Sequence, residues 1–203
     1  MTDLAAQFGG IDIYLFDQLL RQRIRPGMTV LDAGCGAGRN LVFLLREGYD
    51  VLALDPDPEA VRTVRDLAQR LAPRLPATNF RVSPVERSSF ADAVADVVIS
   101  SAVLHFAAGE ASFRAMLAGT WRLLKPGGML FCRLASSIGM AERCRPLGDR
   151  RFALPDGSER FLVDQAFLLT LTTELAGELL DPLKTTVVQD QRAMTTWVLR
   201  KTG

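Results

Sequence analysis

Asp32, Gly34, Gly36 and Gly38 stand at every second position in one short stretch, Val30-Leu31-Asp32-Ala33-Gly34-Cys35-Gly36-Ala37-Gly38-Arg39-Asn40. Alternate glycines remove side chains where a backbone must turn sharply, and they let a ligand approach the main chain closely. They also bring the first N–H groups of a following helix toward that ligand. Asp55 ends a second apolar run, Val51-Leu52-Ala53-Leu54, where a carboxylate can accept both protons of a vicinal diol. His105 is the single histidine; it suits either proton handling near neutral pH or a structural hydrogen bond. Arginines are dense from Arg133 to Arg160, and guanidinium groups recognise carboxylates, phosphates and other oxyanions. Most of these residues read as solvated surface charge, with one or two at a pocket and Arg133 foremost, since it lies nearest the fifth strand.

The apolar run before Asp32 and the run Leu41-Val42-Phe43-Leu44-Leu45 after the glycines read as strand, turn and helix. Tyr49 to Asp55 is a second strand, so the unit is a βαβ crossover, and Asp57 with Pro58 marks the start of a further helix. Asn79 to Val82 and Ala91 to Ser101 supply a third and a fourth strand; the latter is nearly continuous apolar sequence, as a sheet covered on both faces requires. A helix over Glu110 to Leu124 stops at Lys125-Pro126-Gly127-Gly128, and a fifth strand follows. Asp164 to Leu175 is a last helix. Leu183 to Val188 and Thr195 to Leu199 are joined so closely that they must pair antiparallel.

Asp32-x-Gly34-x-Gly36-x-Gly38 after a hydrophobic strand resembles the first motif of the class I S-adenosylmethionine-dependent methyltransferases. Ala95-Asp96-Val97-Val98-Ile99-Ser100-Ser101-Ala102-Val103-Leu104-His105 resembles their second landmark, and Arg122-Leu123-Leu124-Lys125-Pro126-Gly127-Gly128 their link into the fifth strand. The nearest competitor is the dinucleotide-binding fingerprint of an NAD(P)-dependent oxidoreductase, in which a glycine or alanine would stand at Arg39. A non-catalytic cofactor-binding protein of the same fold is the other alternative.

The resemblance implies an α/β fold: a Rossmann-like, doubly wound, seven-stranded and mostly parallel sheet, with a C-terminal antiparallel hairpin and helices on both faces. It implies S-adenosylmethionine as cofactor and methyl transfer to a small-molecule acceptor by direct in-line displacement. Gly34, Gly36 and Gly38 would admit the methionine part, with Asp32 steadying the turn or its amino group. Arg39 would reach the cofactor carboxylate or cap the loop. Asp55 would hold the ribose, with Pro56 beside it. The strand end at Ser100 would offer backbone carbonyls to the methionine amino group. Pro84 stands where the family usually has an acid, which leaves Val85 to offer a backbone N–H to adenine and Glu86 as a replacement contact. The acceptor pocket would draw on His105, Tyr14 and Arg133.

Residues 1–27 read as an N-terminal helix that either packs or closes as a lid, with Phe8-Gly9-Gly10 as a flexible joint. Residues 28–203 read as one domain carrying a loop or hairpin insert at about 136–160. The chain's 203 residues and 48% hydrophobic content suit one core. A formal net charge of +1 gives no global field toward nucleic acid or an anionic membrane. Three scattered cysteines and one histidine supply no metal ligand set, and they fit a reducing cytoplasm. The expected protein is cytoplasmic, without nucleic acid or membrane partners, and a monomer or homodimer.

Overall fold

The computed structural model describes residues 3–203. β1 (Thr29–Ala33) and β2 (Asp50–Asp55) are apolar runs whose alternate side chains point to opposite faces. Leu31, Leu52 and Leu54 enter one hydrophobic cluster, whereas Val30, Val51 and Ala53 enter the other. β4 (Ala95–Ser101) and β5 (Leu124–Ser136) continue the same two-sided burial, while the edge strand β3 (Phe80–Val82) buries Phe80 alone. With β9 (Gly177–Leu179), β10 (Lys184–Val188) and β11 (Arg192–Lys201) the main sheet is complete. Its order is β10-β11-β5-β4-β1-β2-β3, and β9 pairs with β11 off this path.

Helices cover both faces. On one lie α2 (Ile13–Leu20), α3 (Val42–Arg46) and α4 (Pro58–Leu71), which bury Leu15, Leu44, Leu45, Val61 and Val64. On the other lie α5 (Glu110–Arg122) and α6 (Gln165–Glu174), which bury Phe113, Leu117, Leu168 and Leu171. β1 runs parallel to both β2 and β4, so the strand order reverses at its end. Ligands of such sheets bind in the crevice outside the strand ends at that point. β11 runs antiparallel to β5 and to β10, which gives the expected terminal hairpin.

Four elements depart from the sequence reading. The helix after the glycine loop is a single turn, α3, because successive turns occupy Gly36 to Leu41. The segment Phe8-Gly9-Gly10 is packed: α1 (Leu4–Phe8) precedes it, and the Phe8 ring sits 5.0 Å from that of Phe16 and 5.2 Å from that of Phe43. Lys125-Pro126-Gly127-Gly128 lies inside β5, at a register shift against β4. The arginine-rich insert is a small antiparallel meander of β6 (Arg145–Gly148), β7 (Arg151–Ala153) and β8 (Glu159–Phe161), over a third cluster that includes Met140, Cys144 and Leu162. Among the described residues no helix is long and apolar enough to cross a membrane.

Candidate functional site

The glycine loop is built onto the end of β2. Gly34 and Cys35 donate their N–H groups to the Leu54 carbonyl at 2.8 and 3.0 Å, and the Gly36 N–H donates to Asp55 Oδ2 at 2.9 Å. Asp55 Oδ1 accepts the Asp57 N–H, also at 2.9 Å. One carboxylate therefore fixes two turns and still faces the crevice. Gly34 and Gly36 have φ of +88° and +48°, the left-handed region that glycine enters without steric cost. A Cβ at Gly34 would lie 2.4 Å from Val103 Cγ2, while one at Gly36 would meet nothing within 4 Å. Gly34 is therefore needed for packing, and Gly36 leaves open space above the main chain.

That space is part of a cavity of about 570 Å³. Gly34, Gly36, Arg39, Asp55, Pro56, Val85 and Glu86, all expected from the sequence, line it. Cys35, Pro84, Ser101, Val103, Phe106 and Met116 line it as well. Gly119 matters indirectly, since a Cβ there would come within 2.6 Å of the Val85 carbonyl. Its small size lets α5 press against the turn that carries Val85 and Glu86.

Three expected residues stand off the wall. Gly38 packs against α4, where a Cβ would lie 3.0 Å from Val64 Cγ2. Ser100 is fully buried in β4, and the two-residue period of the strand presents Ser101 instead. The Ser101 hydroxyl accepts a hydrogen bond from Arg39 Nη2 at 3.0 Å. Asp32 lies behind the loop, only 2% exposed, with no hydrogen-bond partner for Oδ1. Burial pushes its carboxyl up to about 8, against the pull of Arg39 and with the help of the Asp55 charge.

Arg133 projects from β5 into a second cavity of about 260 Å³, together with His105. Its Nη1 lies 3.2 Å from Asp12 Oδ2, and Arg39 Nη2 is 3.8 Å from the same oxygen. The buried Asp12 is thus a hub that the sequence reading missed. It also caps α2 by accepting the Tyr14 N–H at 3.0 Å, and its own N–H donates to Asn40 Oδ1 at 3.0 Å. The signal was local: an aspartate directly before the periodic run of α2 is an N-cap pattern. Tyr14 lines neither cavity, because its hydroxyl hydrogen-bonds Thr186 Oγ1 at 2.8 Å and ties α2 to the C-terminal hairpin. The Tyr14 reading is corrected to a tether.

His105 Nδ1 accepts the Ala135 N–H at 3.1 Å. A ring nitrogen that accepts a main-chain N–H carries no proton, so in the neutral imidazole the proton sits on Nε2. Burial, reinforced by the Arg160 and Arg133 charges, lowers its pKa to about 4. Near neutral pH the ring is a hydrogen-bond donor rather than a base, and the base reading of His105 gives way to a positioning one.

A pH dependence of stability follows. Between about pH 4 and 6.5 the unfolded chain binds a proton at His105 that the folded chain refuses, so this contribution is lost as pH falls. The full loss is about 3 kcal/mol. His105→Asn keeps an acceptor for the Ala135 N–H and removes the titration. Urea unfolding from pH 7 to pH 4 is expected to destabilise the wild type more than this variant. Asp32 works in the opposite sense and cancels, being present in both proteins. Equal slopes would refute the assignment.

A family profile described as a methyltransferase domain matches residues 31–132. The ubiquinone biosynthesis O-methyltransferase of Methylocella silvestris is 32% identical over 117 residues, covering 56% of this chain and 43% of that protein. The cypemycin N-terminal methyltransferase of a Streptomyces species is 34% identical over 154 residues, covering 75% and 57%. The chain therefore spans about half the length of these curated relatives. Among solved structures, the Burkholderia thailandensis 1,6-didemethyltoxoflavin-N1-methyltransferase, with bound 1,6-didemethyltoxoflavin and S-adenosylhomocysteine, aligns with a TM-score of 0.72 at 22% identity over 99% of this chain and 82% of that one. At that identity the likeness is one of fold. The profile covers the glycine loop, Asp55 and the start of β5, and on that match the chain belongs to the methyltransferase domain family.

Proposed function

We propose that this chain is an S-adenosylmethionine-dependent methyltransferase that acts on a small-molecule acceptor by direct in-line displacement. The observation that carries the reading is the Gly36–Asp55 hydrogen bond at the wall of the larger cavity, placed where β1 parts from β4. Two features of the chain fit the cofactor. Open space above Gly36 leaves room for a ligand against the main chain. The partnerless Oδ1 of Asp32 lies behind the same loop, where a cationic amino group would restore its charge.

In this reading Asp55 holds the ribose hydroxyls, while Val85 and Glu86 border the adenine. Bound there, the cofactor would supply an electrophilic methyl group on a positively charged sulfur that is itself the leaving group. The chain has to align the acceptor and keep water out. Phe106, Val103 and Met116 give the cavity an apolar side suited to that task. Residues 3–27 pack onto the domain, held by Asp12 and by the Gln18–Asp181 and Arg23–Asp181 contacts at 3.1 and 2.9 Å. Residues 28–203 form the catalytic domain, with the insert at 136–160 on the acceptor side.

The relatives act on chemically different acceptors, as their names state, so the acceptor is a matter for this chain's own pocket. Isothermal titration with S-adenosylhomocysteine tests the proposal. One site of micromolar affinity is expected, with no heat from NADPH. Binding of NADPH without S-adenosylhomocysteine would replace the proposal by the oxidoreductase reading.

A further inference from the structure

We infer that the second cavity binds the acceptor through an anionic group, a carboxylate or phosphate, held by Arg160 and Arg192 and by the Nε2–H of His105. The inference rests on the reading of the larger cavity as the methyl donor's site. Ala102 lines both cavities, so an acceptor seated in the second lies one residue from the first. That residue has a φ of +64° and donates its N–H to the Arg133 carbonyl at 2.7 Å. The dividing wall is therefore a constrained turn, held to the strand that carries Arg133.

Charge decides the chemical class. Arg133, Arg160 and Arg192 line the cavity with a single carboxylate, Asp156. Arg133 is balanced by Asp12 at 3.2 Å. Asp156 accepts the Ser158 N–H at 2.9 Å and its hydroxyl at 2.6 Å, which fixes the carboxylate in the turn. Among the described residues, neither Arg160 nor Arg192 has a carboxylate within 4.0 Å. Arg160 spends one nitrogen on the Glu159 carbonyl at 2.7 Å and lies over the Phe106 ring at 4.9 Å. Phe106 also lines the larger cavity, so this guanidinium is braced by the wall of the donor site.

These residues come from three separate parts of the fold: Arg160 from β8, Arg192 from β11, and His105 from the turn after β4. An anion held among them gains charge-assisted hydrogen bonds from two guanidinium groups. A neutral molecule of the same shape would gain no charge-assisted bond from either. The volume of about 260 Å³ suits a single ring or short chain.

Benzoate, phenyl phosphate and the neutral isostere benzamide serve as probes, titrated into protein saturated with S-adenosylhomocysteine. At least one anion is expected to bind ten-fold or more tightly than benzamide, and the better of the two identifies carboxylate or phosphate as the preferred group. In Arg160→Gln/Arg192→Gln that preference should fall to within two-fold, with S-adenosylhomocysteine affinity unchanged. Arg192→Gln alone, at the exposed start of β11, guards against a folding defect and should lose about half of the logarithmic preference. Equal binding of anions and benzamide, or no binding of either anion, overturns the inference and leaves the donor site standing. Failure of S-adenosylhomocysteine itself to bind would instead bring down the reading of the larger cavity.

Discussion

Asp55→Ala is expected to weaken S-adenosylhomocysteine binding about a hundred-fold while leaving the fold intact. The Asp55 carboxylate accepts the Gly36 N–H and the Asp57 N–H, both at 2.9 Å, and faces the larger cavity. Hydrogen bonds to a charged group each contribute about 1.5–3 kcal/mol, and a hundred-fold in affinity corresponds to about 2.7 kcal/mol. The loss has two sources. In the proposed reading the ribose hydroxyls lose their acceptor, and the glycine loop loses the bond that holds it in the shape they would meet. Stability should fall by only about 1 kcal/mol, because the Gly36 N–H lies at the cavity wall and the Asp57 N–H is exposed, so water can take the carboxylate's place. Asp55→Asn retains one acceptor oxygen and should fall between, near a ten-fold loss. Calorimetric titration of the three proteins checks the order; an alanine variant that binds as tightly as the wild type would remove Asp55 from the cofactor site.

What the sequence disclosed was local. The glycine loop, the two strands beside it and Asp55 sit within one βαβ unit, so spacing alone could relate them. At the end of β4 the side chain that reaches the cavity is Ser101, whereas the reading of Ser100 concerned its backbone carbonyl. The N-terminal helix read within residues 1–27 is divided into α1 and α2, and Gln22 turns to a φ of +57° just after α2 and ends the periodicity.

The parts that escaped depend on contacts between distant positions. Asp12 meets Arg133, Arg192 joins Arg160 in one cavity, and the Ala135 N–H decides which nitrogen of His105 keeps its proton. No spacing rule connects an N-terminal cap with a fifth strand or a last one. The insert looked irregular because its strands are short: β7 and β8 have three residues each, too few to show alternation. Its five arginines were visible as composition; which of them face a cavity was not.

The two glycines of the loop should separate stability from binding. Gly34→Ala sets a Cβ 2.4 Å from Val103 Cγ2 and 3.0 Å from Cγ1, at a φ of +88°. Valine is stiff about its first side-chain bond, so the clash falls on the backbone after β4. Overpacking of this kind costs about 1–3 kcal/mol, and the unfavourable φ adds about 1–2 kcal/mol. A chain of this length should then melt about 5–15 °C lower. Gly36→Ala differs in both respects: its φ of +48° lies within the left-handed well open to other residues, and no atom stands within 4 Å of the new Cβ. Its melting temperature should drop by about 2–8 °C, the cost of the left-handed φ alone. The added methyl, however, occupies the space above the main chain that the cofactor would use, so S-adenosylhomocysteine affinity should fall at least ten-fold. Thermal melts with and without S-adenosylhomocysteine give both quantities for each variant. Equal losses of stability, with binding unchanged in Gly36→Ala, would show the loop to be a structural turn alone. The crossed pattern would assign Gly34 to packing and Gly36 to the ligand.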